Sequence, residues 1–239
     1  MNTIHVSIAG HEYQFTLNFA GTKKYFDCFL TSGEECAAYD IVQPVSVEAV
    51  VREMGRLGSG PAFAEYSLLI ESFSDIVLHK CCFLFHGAAF IWKGGAYLFT
   101  GKSGVGKTTQ LYNWMRMYGS GTEIINGDKP VVSIKDDGFY VHPSPWTGKE
   151  GWSGTKSARL RGIILLEQGR KNKIRRMSEQ EAVFPMFLQF LYVADTTEKV
   201  DLVCGYLDSL LRNIPVWKLV NDGSMISTEM VHEIIGEGL

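Results

Sequence analysis

Disulfide scaffolds and structural zinc centres are the first classes to fall away, because cysteine is scarce and badly spaced. The five cysteines stand at 28, 36, 81, 82 and 204, an odd number without a C-x-x-C pair. That pattern fits reduced, mostly buried thiols. A surplus of positive charge is also missing: 23 basic side chains face 26 acidic ones, for a net charge of −3. Neither a nucleic acid nor an anionic bilayer is therefore an expected partner. Long apolar runs are lacking too. The most apolar stretch, Ala182 to Ala194, is broken by Pro185 and Gln189, and the chain opens on Met1-Asn2-Thr3. Neither a signal peptide nor a membrane span is expected, and the expected location is cytoplasmic. No internal repeat or low-complexity tract appears.

What is present is a chain of 239 residues, 46% hydrophobic and 12% aromatic, enough to bury a sizeable core without a disulfide or metal. The clearest composition break, Gly55-Arg56-Leu57-Gly58-Ser59-Gly60-Pro61, reads as a linker between a lobe at 1–58 and a domain at 62–239. Before it, Ile4 to Ile8 and Tyr13 to Leu17 alternate around Gly10-His11-Glu12 as a hairpin would, and Ser46 to Met54 reads as a helix. This predicts a small α+β lobe. After it, Tyr66, Leu69, Ile70, Phe73, Ile76 and Val77 recur at helical spacing. Two β-type runs follow, Cys81 to Trp92 and Ala96 to Thr100, joined through Lys93-Gly94-Gly95. A helix with Leu111, Trp114, Met115 and Tyr118 on one face stops at Gly119. Further strands are expected near Glu123 to Gly127, across Val131 to Val141 with a turn at Asp136-Asp137-Gly138, at Gly162 to Glu167 and at Val216 to Val220. Ser178-Glu179-Gln180-Glu181 is a capping box, a helix spans about Thr197 to Arg212, and Ser227 is expected to cap a last one.

Residues 101–108, Gly101-Lys102-Ser103-Gly104-Val105-Gly106-Lys107-Thr108, satisfy G-x-x-x-x-G-K-[ST] between a strand and a helix. Glycines let successive backbone N–H groups curl around a phosphate, Lys107 reaches the β- and γ-phosphates, and Thr108 offers a hydroxyl to Mg²⁺. ATP and Mg²⁺ are the expected cofactors, held by Gly101, Ser103, Gly104, Val105, Gly106, Lys107, Thr108 and Thr109. Catalysis then needs a metal partner and a group that handles the proton of the attacking hydroxyl. Two acids follow strands, Asp128 and Glu167, and either suits the place beside the phosphates. Hairpin arithmetic puts His86 opposite the start of the phosphate loop, where it is either an active-site group or a satisfied core histidine. His142 is a weaker candidate.

The stretch from Pro143 to Gly154 carries Trp146 and Trp152 and is long for a connector. It reads either as a lid that brings Lys149 and Glu150 onto a phosphate or metal, or as a loop that its tryptophans anchor to the core. Arg159 and Arg161 are candidate charge stabilisers for a transferring phosphoryl group, or ordinary surface arginines.

His86-Gly87 on a strand, a hairpin in place of a helical crossover, residues 101–109, Asp128 and Arg161-Gly162-Ile163-Ile164 together resemble the HPr kinase/phosphorylase family. The similarity covers roughly residues 62–239. It is strongest to short members similar to the peptide-tailoring kinases of lasso-peptide clusters, with Leu165-Leu166-Glu167-Gln168 and Ile214-Pro215-Val216 in their usual places. The resemblance implies an α/β P-loop kinase fold with a mixed sheet, shared with ATP-dependent phosphoenolpyruvate carboxykinase and preceded here by the small lobe. It also implies Asp128 as base and metal neighbour, favours it over Glu167, and makes His86 an active-site residue. Paired aspartates in the bifunctional enzymes correspond to Gly127-Asp128 here, and a glutamate before the Arg-Gly pair corresponds to Leu160, so the thinner acidic set argues against a reverse phosphorylase reaction. The expected activity is transfer of the γ-phosphate of ATP to a serine or threonine hydroxyl of a peptide or small protein, with a homo-oligomer as a possible assembly and the edge of the N-terminal hairpin as a peptide-docking strand. A small-molecule kinase and a nucleotide-binding switch without transfer are the alternatives.

Overall fold

The computed structural model describes residues 2–33 and 38–237, so Cys36 lies outside the described residues. Alternation governs the N-terminal lobe. Strands β1 (Asn2–Ile8) and β2 (His11–Leu17) form an antiparallel hairpin. Ile4, Val6 and Ile8 on one strand and Tyr13, Phe15 and Leu17 on the other are buried, as a half-buried sheet with period two requires. β3 (Asp40–Val42) adds in parallel to β2. The outer edge of β1 is not open along its length: Val6 bridges Leu30, and Thr31 N–H donates to His5 O at 2.9 Å. That reduces the strand edge expected for a docking peptide.

The linker expected at 55–61 is a three-residue turn. Helix α1 (Val47–Leu57), capped by the Ser46 side chain on Ala49 N–H, runs through Gly55, Arg56 and Leu57. Helix α2 (Pro61–Leu78) starts with Pro61 in its first turn, where the missing N–H costs nothing. Only Gly58, Ser59 and Gly60 connect them. One core unites the small sheet, the Tyr66, Leu69, Phe73 and Val77 face of α2, and Trp146. The buried Glu65 carboxylate fastens the lobe further by accepting Asn18 N–H at 2.6 Å, Phe19 N–H at 3.2 Å and the Thr22 hydroxyl at 2.5 Å.

The larger layer is a ten-stranded mixed sheet, as the α/β reading expects. Its strands are β4 (Cys82–Phe85), β5 (Gly87–Trp92), β6 (Gly95–Thr100), β7 (Thr122–Asn126), β8 (Val131–Lys135), β9 (Gly138–His142), β10 (Ala158–Gln168), β11 (Lys173–Arg176), β12 (Phe190–Leu191) and β13 (Val216–Asn221). The order is β12-β4-β8-β9-β10-β6-β5-β7, with β13 parallel to the end of β10 and β11 antiparallel to β13. Its central strands read as continuous apolar runs because both faces are covered. Ala89, Ile91, Leu98, Leu160 and Ile163 face a core shared with α4 (Glu179–Phe187) and α5 (Thr197–Asn213). Ala88, Phe90, Phe99, Ile164 and Leu166 face α3 (Lys107–Tyr118) and α6 (Met225–Glu237).

Two corrections follow. The run 81–92 is two strands: β4 pairs with β8 and β12, while β5 pairs with β6 and β7. The chain changes neighbours at His86, so the flanks of the curled sheet are joined by one residue there. Residues 127–130 make a second crossing beside it, from β7 to β8, with Gly87 N–H bonded to Asp128 O at 2.8 Å and Phe85 N–H to Pro130 O at 3.1 Å. Ser227 is not a cap but lies inside α6, where its hydroxyl donates to Ser224 O at 2.6 Å.

The thiols also depart from expectation. Cys28, Cys81 and Cys204 are exposed and free, and Cys82 is buried. Their helical and turn positions face solvent, where the small polarizable side chain costs little. Among the described residues no helix is long and apolar enough to cross a membrane.

Candidate active site

The glycine-rich loop at 101–106 follows β6 directly and leads into α3. Gly101, Gly104 and Gly106 have φ of 133°, 77° and 105°, and a Cβ on Gly101 would stand 2.9 Å from Leu166 O. Glycine is required there by both conformation and space. No side chain caps the start of α3, so its first N–H groups and the positive end of the helix remain for an anion. The buried Lys107 ammonium donates to Gly101 O at 3.1 Å and Lys102 O at 3.3 Å, lying back along the loop it would serve. Burial lowers its pKa; Asp128 opposes that shift and Lys129 adds to it. Ser103, Gly104 and Thr109 are exposed, Thr108 is half-buried, and Val105 is packed under Leu166 and Leu219.

The first turn of α3 is fixed by a polar cluster with no single-sequence signature. Gln110 donates to Ser227 Oγ at 2.7 Å and accepts from the Thr228 hydroxyl at 2.9 Å, and Asn221 donates to Glu167 O at 3.0 Å. Glu167 therefore stands beside the loop through its backbone. Its carboxylate is exposed and paired with Lys218 at 2.5 Å.

Asp128 and His86 meet on the two neighbouring crossings of the sheet. His86 Nε2 lies 3.5 Å from Asp128 Oδ1, and Lys129 Nζ binds Asp128 Oδ2. Burial pushes the Asp128 carboxyl upward, but His86 and the Lys129 ammonium outweigh it and hold the carboxyl at about 2. The turn carrying Asp128 is shaped by the buried Asn126, whose Oδ1 accepts Asp128 N–H at 2.9 Å and Lys129 N–H at 2.8 Å while its Nδ2 donates to Ser144 O at 2.9 Å. Asn126, Ser144 and Lys129 escaped sequence reading. Lys129, a cation adjoining the candidate acid, was the one with a usable signal.

The 143–154 stretch is anchored at both ends. Trp146 is buried among Phe26, Tyr66 and Phe73 and donates to Tyr66 O at 3.0 Å. Gly127 N–H bonds Trp152 O at 2.8 Å, and Gly154 N–H bonds Ile125 O at 2.9 Å. Of the two readings, anchoring describes the tryptophans. The tip passes Asp128, since a Cβ on Gly148 would lie 3.0 Å from Asp128 Cβ, and Lys149 and Glu150 are exposed beside it.

Arg159 and Arg161 are not at this site. β10 runs parallel to β6, pairing Arg159 with Gly95 and Leu165 with Thr100. The arginines therefore lie toward the end of the sheet remote from the glycine loop, Arg159 by five residues or roughly 17 Å and Arg161, in the slip between Ala96 and Tyr97, by three to four residues or roughly 12 Å. Their assignment as charge stabilisers within one chain is corrected accordingly.

His142 is a structural residue. Its Nε2 meets Ser133 Oγ and its Nδ1 meets Ser157 Oγ, both at 2.8 Å. Burial, with smaller contributions from Lys135 and His11, lowers its pKa from 6.5 to about 4. The unfolded chain takes up this proton first as pH falls. Stability is thus intact above about 6.5 and lost progressively down to about 4, by about 3 kcal/mol. Chemical denaturation at pH 7 and pH 4.5 should show this loss in the native chain and a flatter profile in His142→Gln; equal slopes in the two would exclude His142 as its source.

The chain matches no family model and no curated protein. Among solved structures it is similar to the HPr(Ser) kinase/phosphatase from Coxiella burnetii, with 12% identity over 65% of this chain and 93% of that chain and a TM-score of 0.34.

Proposed function

We propose that this chain is an ATP- and Mg²⁺-dependent kinase that phosphorylates a serine or threonine hydroxyl of a peptide or small protein. The observation that carries the reading is the meeting of Asp128 and His86 within electrostatic reach of Lys107, behind a glycine loop that opens on an uncapped helix start. The loop amides and Lys107 hold the phosphates, Asp128 orients the acceptor hydroxyl and takes its proton, and His86 steadies the Asp128 carboxylate.

The metal fit rests on the donor set. Thr108 and Asp128 would supply the protein oxygens, and among the described residues no three His, Cys, Asp or Glu side chains cluster as a metal site. One or two protein oxygens suit a magnesium ion that keeps water and phosphate as most of its shell. Bound magnesium neutralises charge on the phosphate oxygens. Lys129 holds the Asp128 carboxylate.

The test is incubation with Mg-ATP and peptides bearing internal or C-terminal serine, read by mass spectrometry. A gain of one phosphate on peptide is expected. Modification of a small alcohol or sugar alone would give the acceptor role to a small molecule, and ADP release with no modified acceptor would replace transfer with a nucleotide-driven switch.

A further inference from the structure

The two arginines displaced from the phosphate site converge with a third on a cavity at the other end of the sheet. β10 changes partner along one edge: Ala158 and Arg159 pair with β9, whereas Ile163 to Gln168 pair with β13. Leu160, Arg161 and Gly162 lie in the fork, and the register against β6 slips between Leu160 and Gly162. This irregularity sets Arg161 out from the pleat, as bulges do. The fork opens on a cavity of about 580 Å³, bounded by the β8–β9 turn and by residues of α5 and α6.

Four cations line that cavity, Lys135, Arg159, Arg161 and Arg176, against two carboxylates, Asp136 and Asp137. One carboxylate is already engaged, since Asp137 accepts the Tyr140 hydroxyl at 2.6 Å. Elsewhere in the chain Arg56, Arg175 and Arg212 each hold a carboxylate at 2.5 to 2.9 Å. Arg159, Arg161 and Arg176 make no ion pair among the described residues. Arg176 lies over the Trp217 ring, 5.3 Å from its centroid, and Arg159 rests against Gly138 of the turn. Arg159 and Lys135 are within electrostatic reach of the Asp137 carboxylate and, after the Tyr140 hydroxyl, help lower its pKa, but four cations against two carboxylates still leave an excess of positive charge in one concavity of a protein whose net charge is −3.

We propose that this fork cavity binds the phosphate group of a small phosphomonoester, separately from the phosphate loop. Three guanidinium groups arranged around a concavity can each serve an oxygen of a tetrahedral dianion, whereas the two oxygens of a carboxylate are satisfied by one. The volume falls in the range of small-molecule sites, and Trp217 supplies an apolar wall for the rest of the ligand.

On the proposed function the glycine loop at 101–106 would also take phosphate, so the test must report by residue. The full-length chain is treated with phenylglyoxal with and without glycerol 3-phosphate, and modified arginines are mapped by mass spectrometry. Protection of Arg159, Arg161 and Arg176 by about fivefold or more is expected, with the exposed Arg52 and Arg116 unchanged. In the double variant Arg159→Gln/Arg161→Gln, the concentration protecting Arg176 should rise by about tenfold or more. Absence of protection, protection of Arg52 and Arg116 to the same degree, or equal protection by succinate would each overturn the proposal.

Discussion

Asp128→Asn is expected to lower phosphate transfer by about 100-fold or more while Mg-ATP affinity stays within about tenfold, because general-base contributions have that size. The carboxyl is held at about 2, down from an ordinary 3.8, so it is ionised throughout the working range. A base this weak accepts its proton late and mainly aims the hydroxyl, which suits the loose transition state of phosphoryl transfer. The same depression links activity to stability. A carboxylate lowered on folding contributes fully above about 3.8, and its contribution, about 2 kcal/mol, disappears as pH falls toward 2. The asparagine variant should therefore lose both the transfer rate and this acid limb, measured by steady-state kinetics and by denaturation between pH 4 and 2. Retained activity would pass the proton to His86 or Glu167, of which only His86 touches Asp128.

Lys107→Ala should abolish tight Mg-nucleotide binding in calorimetry. On the proposed reading the substitution removes the cation that would face the β- and γ-phosphates and leaves the backbone cradle of residues 101–106 in place. Lys107 donates only to carbonyl groups of its own loop, so its loss leaves no buried carboxylate unpaired, and the variant should fold. Binding of ATP at native affinity would reduce the motif to a turn between β6 and α3.

Local signals were legible where local physics decides. The β1–β2 hairpin follows from period-two alternation, the tight turn between β6 and α3 from its glycines, and α4 from reciprocal bonds between Ser178 and Glu181. The position of His86 opposite the loop follows from hairpin register, with Gly87 facing Thr100. What was not legible depends on partners distant in sequence. Nothing in Cys81 to Trp92 marks the exchange of neighbours at His86, because both halves are buried and apolar. β11 carries Lys173, Arg175 and Arg176 and reads as a solvated loop until β13 is beside it. Arg159 and Arg161 seemed close to the chemistry because they precede Glu167 in the chain, but a strand parallel to β6 begins where β6 begins, far from the loop. Asn126 and Gln110 acquire meaning only once Ser144 and Ser227 are in reach.

The two crossings bear on how this chain tolerates change in length. An insertion in the Asp136-Asp137 turn adds slack to a hairpin end, and surface loops absorb such additions at small entropic cost. One extra residue at 86 or within 127–130 has no such outlet. It would displace His86 or Asp128 from its neighbour and shift the strand beyond by one position, turning its inward faces outward. Changes in length are therefore expected to be tolerated at the rim of the sheet and not in the span between its flanks.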